Sequence, residues 1–191
     1  MSDNIMYLEQ LNKVIEGVED FKLAIPDIKR TVDLIYFCSG IVYLAGNGGS
    51  AAVAQHLAAD LVRNAPCHVV SLVSNACVLT ALTNDIGGVF NISDQFIRKC
   101  TDKDILIVFS VSGNSPNIQD ALVIAADIGM TTIAIVGRNG EELDGEDVSL
   151  VIPVDSRSYE VVEDVFSVIC HMIKIGLIAK AQEDMVGVEV D

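Results

Sequence analysis

The sequence predicts an α/β fold with three layers, in which a doubly wound, five-stranded parallel sheet lies between helices and N-terminal helices precede it. Two observations lead to this prediction. Short runs rich in β-branched residues alternate with longer stretches of helical periodicity. These runs are apolar throughout, which is typical of parallel strands that helices cover on both faces. The predicted strands are 41–45, 68–72, 104–109, 131–136 and 149–153.

The N-terminal part, residues 1–37, is predicted to form helices that serve oligomerisation. Its apolar residues recur at near-helical spacing, and Pro26 is expected to break or restart the helix. Together with the long last helix, 158–180, these helices carry more apolar surface than the sheet of one subunit would cover, so a homo-oligomer is expected. The α/β domain itself spans 38–182, and the acidic segment 183–191 is expected to be a frayed tail.

The segments between the strands are predicted to be mostly helical. Parallel neighbours cannot be joined by a tight turn, so each needs a crossover connection. Helices are predicted at 50–63, 75–83, 91–99 and 115–128, and residues 84–88 are predicted to be a loop.

The composition disfavours several classes of function. A length of 191 residues fits one domain, and 27 acidic against 12 basic residues give a net charge of −15. This charge disfavours nucleic-acid partners and anionic membrane surfaces. The N-terminus lacks the pattern of a secretory signal, and no apolar run is long enough to span a bilayer. A cytoplasmic protein without nucleic-acid or membrane partners is therefore expected.

Two loops rich in glycine and serine are suited to an anion. GNGGS, residues 46–50, follows the first strand, and SVSGNS, residues 110–115, follows the third; each opens a helix. A helix N-terminus presents unpaired N–H groups and partial positive charge, and glycine lets the backbone approach a ligand closely. Serine and glycine also cap helices in general, but two such loops on one sheet favour a binding site. Neither loop matches GxGxxG or GxxxxGK[ST], so nucleotides of those types are disfavoured.

The motifs GNGGSAAVAQHLAADL, TALTNDIGG and SVSGNSPNIQDAL resemble the sugar-isomerase (SIS) domain family. Within that family they resemble the sedoheptulose 7-phosphate isomerases, also called phosphoheptose isomerases. They also resemble the DnaA initiator-associating protein, a non-enzymatic relative. The resemblance implies a flavodoxin-like sheet, a homotetramer and a phosphorylated sugar as ligand.

The same resemblance implies which residues bind the sugar phosphate. The phosphate would be held by Ser110, Ser112 and Ser115. The glycine-rich loop would contact the sugar, and the TALTNDIGG segment would approach its hydroxyls. The residues concerned are Asn47, Gly48, Gly49, Ser50, Asn84 and Asp85. Val111 replaces a threonine that the isomerases usually carry, so one side-chain donor is missing from the serine loop.

Two histidines and two carboxylates are the candidate chemical centre. His56 and Asp60 are four residues apart, so they share a helix face. The resembling isomerases carry His, Glu, Gln and His at positions 56, 60, 163 and 171, and can bind zinc there. This chain keeps both histidines. Asp60 replaces the glutamate and is one methylene shorter, and Glu163 replaces the glutamine and adds a negative charge. The resemblance implies zinc ligands at His56, Asp60, Glu163 and His171. It also implies Asp60 as the base, His171 as the acid and Glu163 as a substrate contact.

The spacing of Glu163 and His171 predicts a site between subunits. Eight residues of helix rise about 12 Å, so both side chains of one helix would not meet on one ion. If both belong to one site, they come from different subunits.

The function predicted from these residues is that of an aldose–ketose isomerase acting through an enediolate, with sedoheptulose 7-phosphate as the default substrate and a heptose 7-phosphate as product. Two alternatives remain. One is a non-catalytic SIS tetramer that binds sugar phosphates or proteins for regulation, like the initiator-associating protein. That relative lacks the second histidine, whereas this chain has His171. The other alternative is an isomerase for a different sugar phosphate.

Overall fold

The structure, a computed structural model, describes residues 7–12, 18–143 and 147–187. Residues 7–12 are helical, and the first long helix is α1, Val18–Tyr36. The helices that follow are α2, Gly49–Asn64; α3, Ala76–Ile86; α4, Pro116–Ile128; and α5, Tyr159–Gly187. The strands are β1, Ile41–Gly46; β2, His68–Ser71; β3, Ile105–Ser110; β4, Thr131–Val136; and β5, Leu150–Pro153. No helix in these described ranges combines the length and the apolar character needed to cross a membrane.

The five strands form one parallel sheet in the order β2-β1-β3-β4-β5, which confirms the predicted sheet. The chain order reverses between β1 and β3, which are neighbours at the centre. Ligands of such sheets bind at this point, outside the carboxyl ends of the strands. Gly46 is in register with Phe109, so the two glycine- and serine-rich loops begin at the same level of the sheet.

Helices cover both faces of the sheet, as the apolar strands require. All six residues of β3 are buried, and their side chains point alternately to the two faces. On one face Phe109 packs with Leu57 of α2, Phe166 of α5 and residues of α1. On the other face Leu106 packs with Leu122 of α4. The prediction of a three-layer α/β fold is therefore confirmed.

Helices α2 and α5 pack against each other, and this contact positions the site. Leu57 and Leu61 of α2 share a buried cluster with Phe166 and Ile173 of α5. The polar side chains next to these apolar residues are thereby brought together from the two helices.

The structure corrects four details of the sequence prediction. Helix α1 runs through Pro26, because the loss of one N–H hydrogen bond is offset by the burial of Ile28 and Val32 on the same helix. Helix α3 reaches Ile86, so residues 84–86 of the predicted loop 84–88 are helical.

The predicted helix 91–99 is instead a series of short turns with 3-10 segments at Gly88–Phe90 and Ser93–Gln95. Its buried residues Ile92 and Phe96 span one turn, which is too short to sustain an α-helix.

The last helix is longer than predicted. Helix α5 continues to Gly187, so the first part of the predicted tail 183–191 is helical. Residues 188–191 lie outside the described part of the chain.

Candidate active site

Three asparagine side chains connect the elements around the sheet's central carboxyl edge. The Asn47 amide nitrogen donates to Asn117 Oδ1 at 2.8 Å, and the Asn117 amide nitrogen donates back to Asn47 Oδ1 at 3.0 Å. The Asn117 amide also donates to Asn91 Oδ1 at 3.2 Å. The loop after β1 is thus tied to the start of α4. Sequence reasoning missed Asn91 and Asn117, although Asn117 stands within the quoted serine motif.

The glycine-rich loop has a backbone that only small residues allow. Gly48 has a φ of 56°, in the left-handed region. A side chain at Gly49 would overlap the carboxylate of Glu163, so the glycine leaves room for this carboxylate beside the loop. Glu163 therefore lies at the N-terminus of α2, where the helix dipole favours a negative charge. Ser50 is buried beside this point.

The serine loop is held in a tight turn by its own hydroxyls. Ser110 Oγ accepts from the Gly113 amide at 3.0 Å, and Ser112 Oγ accepts from the Asn114 amide at 3.4 Å. Ser115 is the N-cap of α4, but its side chain makes no capping hydrogen bond within the described chain. The hydroxyl protons of these serines can therefore be donated to an anion at the start of α4.

The segment after β4 braces the serine loop, a feature that sequence reasoning missed. The Glu142 carboxylate accepts a hydrogen bond from the side-chain Nδ2 of Asn114. It also accepts one from Arg138, whose Nη1 lies 2.5 Å from Glu142 Oε1. The Gln119 amide donates to the Gly113 carbonyl at 2.8 Å. Gly113 has a φ of 78°. The loop shape is thus fixed from two sides before any ligand binds.

The structure brings His56, Asp60 and His171 together. One potential ligand atom of each lies within 4.8 Å of those of the other two. The two histidine Nε2 atoms are 3.1 Å apart, and His56 Nε2 is 3.6 Å from Asp60 Oδ2. Two neutral imidazoles facing each other in this way share one proton, or direct two lone pairs at one cation.

Lys174 completes this cluster and was missed by sequence reasoning. Its Nζ lies 2.6 Å from Asp60 Oδ1. The other oxygen, Oδ2, is buried and has no hydrogen-bond partner among the residues that the structure describes. The available signal was the spacing of His171 and Lys174, which puts both on one face of α5.

Cys170 lies at the inner side of the cluster and stays a neutral thiol. Burial, together with the charge of Asp60, raises the pKa of Cys170 to about 12. Cys170 is not one of the residues whose potential ligand atoms lie within 4.8 Å of one another, so it stays outside the candidate ligand set.

Glu163, Asn84 and Asp85 are not members of this cluster. Glu163 stands at Gly49 and does not join the three side chains in the described part of one chain, as the 12 Å estimate from helical rise predicted. Asn84 and Asp85 are exposed, and the Asn84 amide donates to Asp85 Oδ1 at 2.9 Å. All three members of the cluster come from one chain, so a second subunit is not needed to assemble them.

The cluster fits a divalent cation such as zinc. Zinc bonds to nitrogen and oxygen are about 2.05 Å long, so neighbouring ligands of a tetrahedral site are about 3.3 Å apart. Two of the three separations, 3.1 Å and 3.6 Å, bracket this value, and the third is within 4.8 Å. The buried, unpartnered Oδ2 of Asp60 is the atom that such an ion would satisfy.

The sequence profile of the SIS domain matches residues 6–137. Curated phosphoheptose isomerases are similar over a longer stretch. The protein from Solidesulfovibrio magneticus is 34% identical over 149 residues, covering 75% of this chain and 72% of the relative. The protein from Aquifex aeolicus is 37% identical over 146 residues, covering 70% of this chain and 76% of the relative.

Solved structures agree with this relationship. Phosphoheptose isomerase GmhA from Neisseria gonorrhoeae superimposes with a TM-score of 0.84 at 25% identity, over 92% of this chain and 98% of that one. A phosphoheptose isomerase from Francisella tularensis superimposes with a TM-score of 0.82 at 25% identity, over 92% and 96%. The chain therefore belongs to the SIS domain family and, within it, to the phosphoheptose isomerases.

Proposed function

We propose that this chain is an aldose–ketose isomerase for a phosphorylated ketose, with sedoheptulose 7-phosphate as substrate and a heptose 7-phosphate as product. The observation that carries the proposal is the contact between His56, Asp60 and His171. A carboxylate and an imidazole side by side are the groups that proton transfer next to a carbonyl requires. The similarity to phosphoheptose isomerases supports the choice of substrate.

The phosphate would bind at the start of α4. Ser110, Ser112 and Ser115 supply hydroxyl protons, and the helix N-terminus adds its unpaired N–H groups. This arrangement favours one small anion in spite of the net charge of −15 on the whole chain.

The sugar would extend from the phosphate towards the glycine-rich loop. Asn47, Gly48, Gly49 and Ser50 contact it in this proposal, and Glu163 reaches it from α5. Asn84 and Asp85 remain candidates for its hydroxyl groups; among the described residues, the Asn84 side chain donates to Asp85 itself.

Asp60 and His171 would carry the proton transfers. Asp60 removes a proton from C1 of the ketose, and His171 donates a proton to the carbonyl oxygen, which gives the enediol. Return of a proton to C2 and loss of one from the C1 oxygen completes the aldose. Because Lys174 holds Oδ1, the oxygen of Asp60 that can act as base is Oδ2.

Zinc is the proposed metal, and His56, Asp60 and His171 would hold it. A bound zinc ion would polarise the sugar carbonyl as a Lewis acid. Two roles then compete for Asp60 Oδ2, because this oxygen can either bind the cation or accept the proton from the sugar. The resemblance also implied Glu163 as a zinc ligand. Glu163 lies eight residues from His171 on α5, which is too far for both side chains of one chain to bind the same ion.

A homo-oligomer, with a tetramer as the proposed form, would cover the apolar surface beside the site. Val62 of α2 is 67% exposed and Ile175 of α5 is 65% exposed. Both lie on the helices that carry the cluster. Light scattering coupled to size-exclusion chromatography tests this state, and a monomer at micromolar concentration would contradict it.

The test of the function is an NMR assay of purified protein with sedoheptulose 7-phosphate, with and without zinc. We expect a heptose 7-phosphate to form. Asp60→Asn should abolish its formation and His171→Gln should lower it by about 100-fold, while circular dichroism stays unchanged. Tight binding of sugar phosphate without turnover of this or other ketose phosphates would overturn the proposal and favour the regulatory SIS tetramer.

A further inference from the structure

We propose that Lys174 is a positioning residue that reserves Asp60 Oδ2 for proton transfer and weakens the binding of a divalent cation at the cluster. The inference rests on the proposed function and assigns a role to a residue outside the predicted set. Lys174 is not argued to touch the substrate; it acts through Asp60.

The geometry of the ion pair selects one carboxylate oxygen. Lys174 Nζ lies 2.6 Å from Asp60 Oδ1, and the two side chains are 35% and 15% exposed. Asp60 Oδ2 faces His56 at 3.6 Å. A carboxylate held in this way cannot rotate its other oxygen into the site without breaking a charge-assisted hydrogen bond. Lys174 therefore fixes which oxygen can act.

The charge of Lys174 acts on any cation that the cluster binds. An ammonium group bonded to Oδ1 lies only a few ångströms from an ion bonded to Oδ2, and like charges at that distance repel each other in a partly buried site. The ion is also restricted to one oxygen of Asp60, because the other is occupied. Both effects lower the affinity for zinc.

A purely structural role predicts something different. Partly exposed ion pairs contribute little to stability, so loss of Lys174 would change the free energy of unfolding slightly and would leave zinc binding unchanged. Zinc affinity thus separates the two explanations, whereas thermal stability does not.

The experiment measures zinc binding by metal-free protein in competition with a chromophoric chelator. We expect Lys174→Met to bind zinc about tenfold more tightly than the wild type, since the repulsion is removed. Lys174→Arg keeps the charge and should stay within about threefold of the wild type. Asp60→Asn should lose most of the affinity, which verifies that the ion binds at this cluster.

Lys180→Met is the matched control. It removes the same charge from the same helix, but Lys180 pairs with Asp33 of α1, away from the cluster. Its zinc affinity should equal that of the wild type. Zinc binding by Lys174→Met that is equal to or weaker than wild type would overturn the inference, provided that circular dichroism shows a folded protein.

Steady-state kinetics give a second, independent readout. Lys174→Met should lower kcat about tenfold or more with an unchanged KM, because the base loses its orientation while the serine loop still binds the phosphate. An unchanged kcat with a raised KM would contradict the positioning role. The chelator titration does not need turnover, so absence of any isomerase activity would defeat the proposed function alone and leave the effect of Lys174 on the cation measurable.

Discussion

His56 Nε2 and His171 Nε2 lie 3.1 Å apart, although 115 residues separate them in the chain. Helix α2 supplies the first and helix α5 the second, and the packing of the two helices creates the contact. The site is therefore a product of tertiary packing in a single chain.

Replacement of His171 tests the acid and the cation site together. His171→Gln should lower turnover of sedoheptulose 7-phosphate by about 100-fold, because a positioned acid is lost. It should also weaken zinc binding, since one imidazole ligand is gone. The matched control is His68→Gln at the exposed start of β2, which should behave as the wild type. Equal losses in both variants would point to a general effect on folding and contradict the assignment.

Ser112 tests the phosphate site. Ser112→Ala should raise the Kd for sedoheptulose 7-phosphate about tenfold, because a hydrogen bond to a charged group is removed. Isothermal titration calorimetry measures this change, with inorganic phosphate as a second ligand. Thr101→Ala removes a hydroxyl near the opposite, amino edge of the sheet and should leave the Kd unchanged. An unaltered Kd for Ser112→Ala would contradict the assignment of phosphate binding to the serine loop.

Gly49 and Glu163 should be energetically coupled. Gly49→Ala should reduce the free energy of unfolding by at most about 1 kcal/mol, because the new methyl group displaces only the carboxylate end of the flexible Glu163 side chain. In a Glu163→Ala background the same change should be neutral or stabilising, since alanine favours the helix and the overlap is gone. Urea unfolding of the four proteins gives the coupling energy. Additive effects would show that Glu163 does not stand at Gly49.

Cys170 should resist alkylation in the folded protein. Burial raises its pKa to about 12, from an ordinary value of 9.0, so almost no thiolate exists at pH 8. The exposed Cys77 should react with iodoacetamide under the same conditions. The shift also lowers the free energy of unfolding as the pH rises above about 9, because the thiol then ionises in the unfolded state and stays neutral in the folded state. Mass spectrometry of the labelled peptides shows whether Cys77 reacts before Cys170. Labelling of Cys170 as early as that of Cys77 would contradict its burial.

The sheet could be predicted from the sequence because its signal is local. Each strand is a short apolar run, and a strand such as β3 buries all six of its residues. The pairing of His56 with Asp60 was also predictable, since four residues of helix place them on one face. The ends of α3 and α5 were predicted less well, because helix ends depend on packing as well as on sequence pattern.

The contacts between distant residues could not be predicted in the same way. Lys174 shares a face of α5 with His171, but this spacing does not show that its partner is Asp60, 114 residues away in the chain. Asn117 contacts Asn47 across 70 residues, because the reversal of strand order brings the two loops side by side. The position of Glu163 at Gly49 likewise depends on how α5 crosses α2.

The central claim is that Asp60, beside two histidines of the same chain, removes a proton from the sugar to form an enediolate. The most direct measurement is the NMR spectrum of the heptose 7-phosphate formed in D2O. We predict solvent deuterium on the carbon next to the new carbonyl with the wild type, and no product with Asp60→Asn. Undiminished turnover by Asp60→Asn would contradict the account.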